Sequence, residues 1–390
     1  MAGRLPITSA VAGIGLRQYK RGGAPQPEQG VLIGTIVDAC EDAGIDPASV
    51  DGFVSYGGDS NEPPRLMNDL GTRELRWSAQ VWGGGGGGIA GIFGQAAAAI
   101  AAGQAETVVV YRAMVQGDSG RMSGAVMAHH LNDHLIGAGL VAPALECAMR
   151  AQRMMEHHGV SERTVEEFVR ASYYHGSRNP RAVSYGKELD VEGYRASRMI
   201  AEPFHLFDCS RENDGAGALI VVAADRAKDL RAKPVYLRGS AQGAARGWGD
   251  LAQNDLDHAS AGFGGAGGVA ERLWAMTGLT SEDIQVAQIY ENFSAQGIAA
   301  LIDHGFCTYD NVADFVRFEN LIAPSGRLPI NTSGGNLAQG FIHGIGVAVE
   351  AIEQLRGTSA NPVPGAVNCL LTGGPGAPLV SSAIFTNQRD

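Results

Sequence analysis

The chain has 390 residues, 45% of them hydrophobic and 18% charged, enough for two or three domain-sized units or one large duplicated fold with well-buried cores. Asp and Glu number 41 against 30 Lys and Arg, a formal charge of −11, and no cationic cluster is evident; a nucleic-acid binder is excluded, because phosphate affinity comes from clustered Lys and Arg. Five cysteines, odd in number, widely spaced and without a CxxC pair, point to reduced thiols in a cytoplasmic protein and away from a disulfide framework or a zinc site.

Residues 1–13 lack the charged start, apolar core and cleavage site of a secretion signal. A strand-like run at 11–16 leads to a helical pattern over 31–43, which stops at Gly44, a natural left-handed C-cap position. A strand is predicted at 52–56. Six consecutive glycines, 83–88, then open onto a small-residue helix at 89–102 that ends at Gly103. That helix is the most apolar stretch, yet Gln95 interrupts it and it is too short to cross a bilayer, so no membrane span is expected. A strand follows at 107–111. The segment 112–203, rich in His, Arg and Tyr, reads as an inserted loop domain that covers a site, and residues 214–216 as a structural cap on the closing strand of the first half.

The pattern then returns. A strand at 235–239, a helix at 269–277 stopped by Gly278 and a strand at 286–290 precede Gly334-Gly335, a helix at 343–356 stopped by Gly357, and a strand at 366–371. Gly44 and Gly278, Val50 and Ile284, Tyr56 and Tyr290 are separated by the same interval, the mark of an internal repeat. Two βαβαβ-type halves imply an α/β/α/β/α sandwich with pseudo-twofold symmetry. The expected division is 1–230, carrying the insertion at about 112–203, and 231–390.

Glycine is the loudest compositional signal: 55 residues, gathered in the loops 83–88, 262–268, 334–335 and 373–376. A glycine run ahead of a helix in a βαβ context favours close backbone approach to a ligand over mere flexibility. It is not a GxGxxG fingerprint in the right setting, so NAD is not inferred. His130 and His134, with His129 and Asp133 beside them, have metal-pair spacing, but no third ligand is evident and a solvated helix face is the better reading. No metal and no cofactor are expected.

Two signatures, Leu206-Phe207-Asp208-Cys209-Ser210-Arg211-Glu212-Asn213-Asp214-Gly215-Ala216 and Tyr290-Glu291-Asn292-Phe293-Ser294, carry a family likeness, supported by Gly326-Arg327-Leu328-Pro329-Ile330-Asn331-Thr332 before Ser333-Gly334-Gly335. With the duplicated layout, they make the chain resemble the thiolase superfamily, in its sterol-carrier-protein thiolase branch, and within it the steroid side-chain-cleaving aldolases. The departures are as telling. The position of the thiolase nucleophile falls within residues 86–90, all Gly, Ile or Ala, and that of the second cysteine near Leu370 and Leu371, with Cys369 adjacent but pointing to the opposite strand face. The Gly-His-Pro motif falls at Gly340-Phe341-Ile342, and the aldolases have a tyrosine at the place of Phe341.

The resemblance implies retro-aldol cleavage of a β-hydroxyacyl-CoA, the acyl group being a steroid side chain, without an acyl-enzyme. It implies Tyr290 as the acid that protonates the enolate carbon and His343 as acceptor of the hydroxyl proton, with Gly86, Gly87, Gly335, Phe341 and Asn292 lining the substrate. Coenzyme A enters only as part of the substrate. A homodimer and a small OB-fold/zinc-ribbon partner protein are the implied assembly. Two other readings stay open at this point: a thiolase-like acyltransferase or β-ketoacyl-CoA cleaving enzyme, and a non-catalytic acyl-CoA or lipid-binding subunit. Tyr290 as core packing and His343 as a helix-terminal residue held by backbone are the bland alternatives.

Overall fold

Nine strands line up in one mixed sheet in the computed structural model, which describes residues 6–82, 85–117, 137–244 and 261–389. The first five are β1 (Ser9–Lys20), β2 (Gly52–Tyr56), β3 (Trp77–Val81), β4 (Thr107–Val115) and β7 (Asn213–Ala223); β5 (Met199–Ala201) and β6 (Phe204–His205) form a separate hairpin. The rest are β8 (Val235–Gly243), β9 (Val286–Ile289), β10 (Asn368–Gly373) and β11 (Val380–Thr386). The order is β3-β2-β4-β7-β1-β8-β11-β10-β9.

Among the described residues the ladders of the two groups join where Ala10 and Val11 of β1 pair with Tyr236 and Val235 of β8. Each group repeats the other's course: β2 runs parallel to β4 as β9 does to β10, and β7 and β11 return antiparallel. The counterpart of β3 has shrunk to one parallel bridge, Ile330 to Ala287.

Eight helices of eight or more residues are described: α1 (Glu28–Ala43), α2 (Pro63–Leu70), α3 (Gly91–Ala101), α4 (Pro143–His158), α5 (Glu162–Arg178), α6 (Val269–Thr277), α7 (Ser294–Asp303) and α8 (Ile345–Arg356). Helix α1 covers the outer face of β1, β4 and β7, and α6 that of β8 and β11. Helices α3 and α8 each touch strands of both groups and so form a shared middle layer. Three apolar clusters fill the spaces between five layers, the central one joining Val54, Tyr56 and Val110 to Tyr290, Phe341 and Leu371. This is the α/β/α/β/α sandwich.

Strands walled on both faces need apolar residues on both. In β4, Val108 and Val110 point into the central cluster, while Val109, Tyr111 and Ala113 point to the outer one. The same alternation turns Arg112 inward, so β4 runs on past the expected strand end at 111 and takes Arg112 into the sheet. In the segment that follows, α5 packs on α7 and on the turn Gly335–Ala338. The last helix begins at Ile345, two residues later than expected, because His343 and Gly344 are left-handed, with φ of 45° and 85°.

Candidate active site

The C-terminal end of β9, the start of the α3 segment and the loop before α8 meet at the middle layer. Tyr290 follows β9 directly, its backbone N–H donating to the Thr372 carbonyl and hydroxyl, both at 3.2 Å. Its ring is 2% exposed and lies between two glycines: a Cβ at Gly86 or at Gly344 would fall on the ring atoms. Only glycine fits at either position while the ring stays. The Gly86 N–H is directed at the phenolic oxygen, but burial outweighs it and holds the phenol well above its ordinary pKa, fully protonated.

Gly87 is packed backbone to backbone against Gly374, and its carbonyl accepts from Ser381 at 2.5 Å. The loops 85–88 and 373–376, one from each half, are thereby locked together beside the phenol.

His343 is gripped at two points. The Tyr56 hydroxyl donates to its carbonyl at 2.7 Å, and Arg112 Nη2 lies 2.8 Å from its Nδ1. A guanidinium can only donate, so Nδ1 accepts and the proton sits on Nε2. Burial, then the Arg112 charge, pushes the imidazole pKa far below its usual value. His343 is therefore a neutral Nε2–H donor. Against the expectation that it takes the hydroxyl proton stands the Nδ1 lone pair, already engaged by a cation.

Phe341 lies edge-on between the two, its ring centroid 6.2 Å from Tyr290 and 5.2 Å from His343. Its backbone carbonyl accepts from Gln116 at 2.8 Å and its N–H donates to Arg211, so the loop is pinned under an apolar wall. Tyr290, Phe341, His343 and Gly86 thus come together. Asn292 and Gly335 do not join them. Asn292 Oδ1 accepts from its neighbour Phe293 at 3.2 Å, ahead of α7, and its carbonyl accepts from Ser210. Gly335, left-handed at φ 59°, leaves room for the Glu291 carboxyl, not for the phenol. Glu291 is fully buried, accepts from Leu337 N–H at 3.3 Å, and is pushed up to about 8 by burial.

No thiolate is poised to act. Burial raises Cys40, Cys147, Cys209 and Cys307 each to about 12 and Cys369 higher still. A nucleophilic cysteine needs the opposite environment. Cys369 is wholly buried in β10. Among the described residues no group of three or more His, Cys, Asp or Glu could hold a metal, and no helix is long and apolar enough to cross a membrane. His129, His130, Asp133 and His134 lie outside the described residues, as do Gly83 and Gly84.

Three contributors escaped the sequence reading. Arg112 reaches His343, the Tyr56 carbonyl at 3.0 Å and the Asp59 carboxylate at 3.2 Å. Asp59 itself is held by Ser55 at 3.1 Å. Tyr56, the repeat-mate of Tyr290, fixes the His343 backbone. A lone Arg inside Thr-Val-Val-Val-Tyr-Arg-Ala-Met-Val was the available signal, since a charge in a doubly covered strand must be paired.

Comparison with known proteins agrees with this geometry. Residues 253–386 match the family model described as thiolase C-terminal domain-like. The chain is 36% identical to the 17-hydroxy-3-oxo-4-pregnene-20-carboxyl-CoA lyase of Mycobacterium tuberculosis over 95% of its own length and 97% of that protein. It is also 36% identical to the steroid side-chain-cleaving aldolase of Thermomonospora curvata, over 96% and 97%. The solved Ltp2-ChsH2(DUF35) aldolase superposes with a TM-score of 0.88 at 33% identity, covering 98% of both chains. The chain belongs to the thiolase superfamily, in the branch of the steroid side-chain-cleaving aldolases.

Proposed function

We propose that this protein is a carbon–carbon lyase that cleaves a β-hydroxyacyl-CoA, its acyl group a steroid side chain, by a retro-aldol reaction with no acyl-enzyme. One observation carries the reading: the Tyr290 phenol fills the volume above Gly86, within the stretch where a thiolase needs its cysteine side chain. The nucleophile's seat is occupied by an acid.

The β-hydroxyl loses its proton as the Cα–Cβ bond breaks. The oxygen electrons become the carbonyl of the departing ketone or aldehyde, and the bond pair becomes the enolate of the shorter acyl-CoA. Tyr290 returns a proton to the α-carbon; the proton released from the hydroxyl, carried by water, restores the phenol. A phenol held protonated by burial stays an acid across the working pH range. His343 supplies a fixed N–H to an oxygen that gains charge, a task for which a neutral imidazole is competent. Phe341 keeps the space between them apolar, which strengthens both interactions. The reaction is redox-neutral and needs no cofactor beyond the CoA of the substrate.

The chain acts as a homodimer with a small OB-fold/zinc-ribbon partner. Its net acidity and the lack of an evident cluster for the CoA phosphates are consistent with a partner supplying part of that site. The name of the solved relative, which pairs an aldolase with a DUF35 component, supports a partner protein of that kind.

A panel of β-hydroxyacyl- and β-ketoacyl-CoAs, with products weighed by mass spectrometry, tests the reading. Cleavage confined to β-hydroxy thioesters, with no mass added to the protein, is expected. A stoichiometric acyl adduct on any cysteine, or cleavage of the β-keto substrates alone, overturns it.

A further inference from the structure

Arg112 projects from β4 into the middle layer and is 5% exposed; among the described residues its carboxylate partner is Asp59, 3.2 Å from Nη1. Nη1 also donates to the Tyr56 carbonyl at 3.0 Å, and Nη2 is left to His343 Nδ1 at 2.8 Å. A buried cation placed against a histidine ring is costly unless the ring offers a lone pair. An imidazolium here would set N–H against N–H and charge against charge.

The backbone carries the same message. His343 is one of two non-glycine residues with positive φ among the described residues, at 45°, a conformation that costs of order 1 kcal/mol and persists only where neighbours hold it. Tyr56 holds the carbonyl and Arg112 holds the ring. The groups facing His343 are Arg112 from β4, with Asp59 behind it, the Tyr56 hydroxyl from β2, and Tyr290 from the end of β9 across Gly344 and Phe341.

We propose that Arg112 is a positioning residue that locks His343 in the neutral Nε2–H tautomer, so that His343 serves the retro-aldol reaction as a fixed hydrogen-bond donor and never as a base. The inference deepens the aldolase reading and rests on it for its catalytic part. Its structural part stands alone, because the tautomer exists without substrate. Asp59 acts one step further out, orienting the guanidinium as a carboxylate orients a catalytic imidazole elsewhere.

The test is ¹⁵N NMR of the full chain labelled at histidine, with the His343 signals assigned by their loss in His343→Gln. In the wild-type protein Nδ1 is expected in the unprotonated form and Nε2 in the protonated form, unchanged from pH 5 to 8. A wild-type His343 that carries its proton on Nδ1, or that titrates within this range, overturns the proposal without recourse to any variant. In Arg112→Met the ring is expected to sample both tautomers, and its pKa to rise while burial, the larger cause, still holds it below its ordinary value. The kcat profile should gain an acid limb absent from wild type, and kcat at pH 7.5 should fall roughly 10²-fold with KM changed far less. Arg112→Lys, which keeps a cation for Asp59, guards against misfolding and should show the same acid limb in milder form. Folded variants whose His343 spectrum matches wild type also overturn the proposal. If the tautomer and its dependence on Arg112 are as stated but His343→Gln turns over at full rate, the assigned role of His343 fails and the positioning by Arg112 stands. Absence of turnover on every β-hydroxyacyl-CoA is instead the failure of the aldolase reading.

Discussion

Tyr56 and Tyr290 occupy the same place in the two halves, each at the end of the strand that follows a glycine-stopped helix. Both rings are buried in the central cluster, and burial keeps both phenols protonated. Their hydroxyls do different work. Tyr56 spends its hydrogen on the backbone carbonyl of His343 and becomes scaffold. Tyr290 stands over Gly86, with the Gly86 N–H directed at its oxygen. A pseudo-twofold axis thus delivers two equivalent phenols to one place, and what each meets there decides which one reacts. The comparison teaches that symmetry of fold does not carry symmetry of function; the partner of each hydroxyl does.

The largest effect tests that asymmetry directly. Tyr290→Phe is expected to lower kcat by about 10²–10⁴-fold while the protein melts normally, since only a positioned acid is lost. Tyr56→Phe should cost no more than about tenfold in kcat and about 1 kcal/mol in stability, the worth of one hydrogen bond. Steady-state kinetics beside thermal melts separate the two; equal losses in kcat break the comparison.

Next comes the slot that makes Tyr290 reactive. Gly344→Ala adds a methyl group where the ring lies and forces a side chain to φ 85°. The expected cost is about 1–3 kcal/mol in a denaturant titration, with activity falling as the ring is pushed off Gly86. Gly103→Ala is the control: it shares the positive φ, at 69°, but has open space around it, so it should lose stability without losing turnover per folded molecule.

Buried charge is handled in two ways, and pH reads the difference. Arg112 is paired with Asp59, whereas Glu291 is pushed up to about 8 and His304 down to about 4, both by burial. A glutamate raised in the folded state binds a proton that the unfolded chain has released above about 4.5, so its stabilising share is present at low pH and is lost as pH rises towards 8. A histidine lowered in the folded state behaves in the opposite sense. The unfolded chain takes up the proton below about 6.5 and stability is lost as pH falls from there towards 4. Glu291→Gln should therefore flatten the decline in melting temperature on the alkaline side and leave the acid side unchanged. The smallest effect is expected for Cys369→Ala, which removes a thiol buried in β10 and should leave turnover near wild type.

Much of the layout was legible because it follows from periodicity and punctuation. Gly44 and Gly278 stop their helices in left-handed conformations, and the strand at 52–56 and the helix at 269–277 fall where the pattern places them. Tyr290 and His343, expected at the site by likeness, each pack against the Phe341 ring. The rest depends on contacts that no local pattern encodes. Arg112 lies 231 residues from His343 and Tyr56 lies 287 from it. The left-handed turn at His343 is held by those long-range bonds, one to its carbonyl and one to its ring. Gly335 was expected at the substrate because it precedes a helix, but whether a glycine makes room for a ligand or for a neighbouring carboxylate is decided by packing.

The ring seated over Gly86 also constrains how this sequence can change. Gly86→Cys, introduced alone, would place its side chain inside the phenol and yield a misfit with neither chemistry. Tyr290 shortened alone would leave an empty slot and no nucleophile. A route between acid-based cleavage and cysteine-based acyl transfer must cross a valley in which each single step is worse than either end, a case of reciprocal sign epistasis written into one van der Waals contact. Libraries that vary positions 86, 290 and 344 together are the ones able to cross it; one-at-a-time saturation is not.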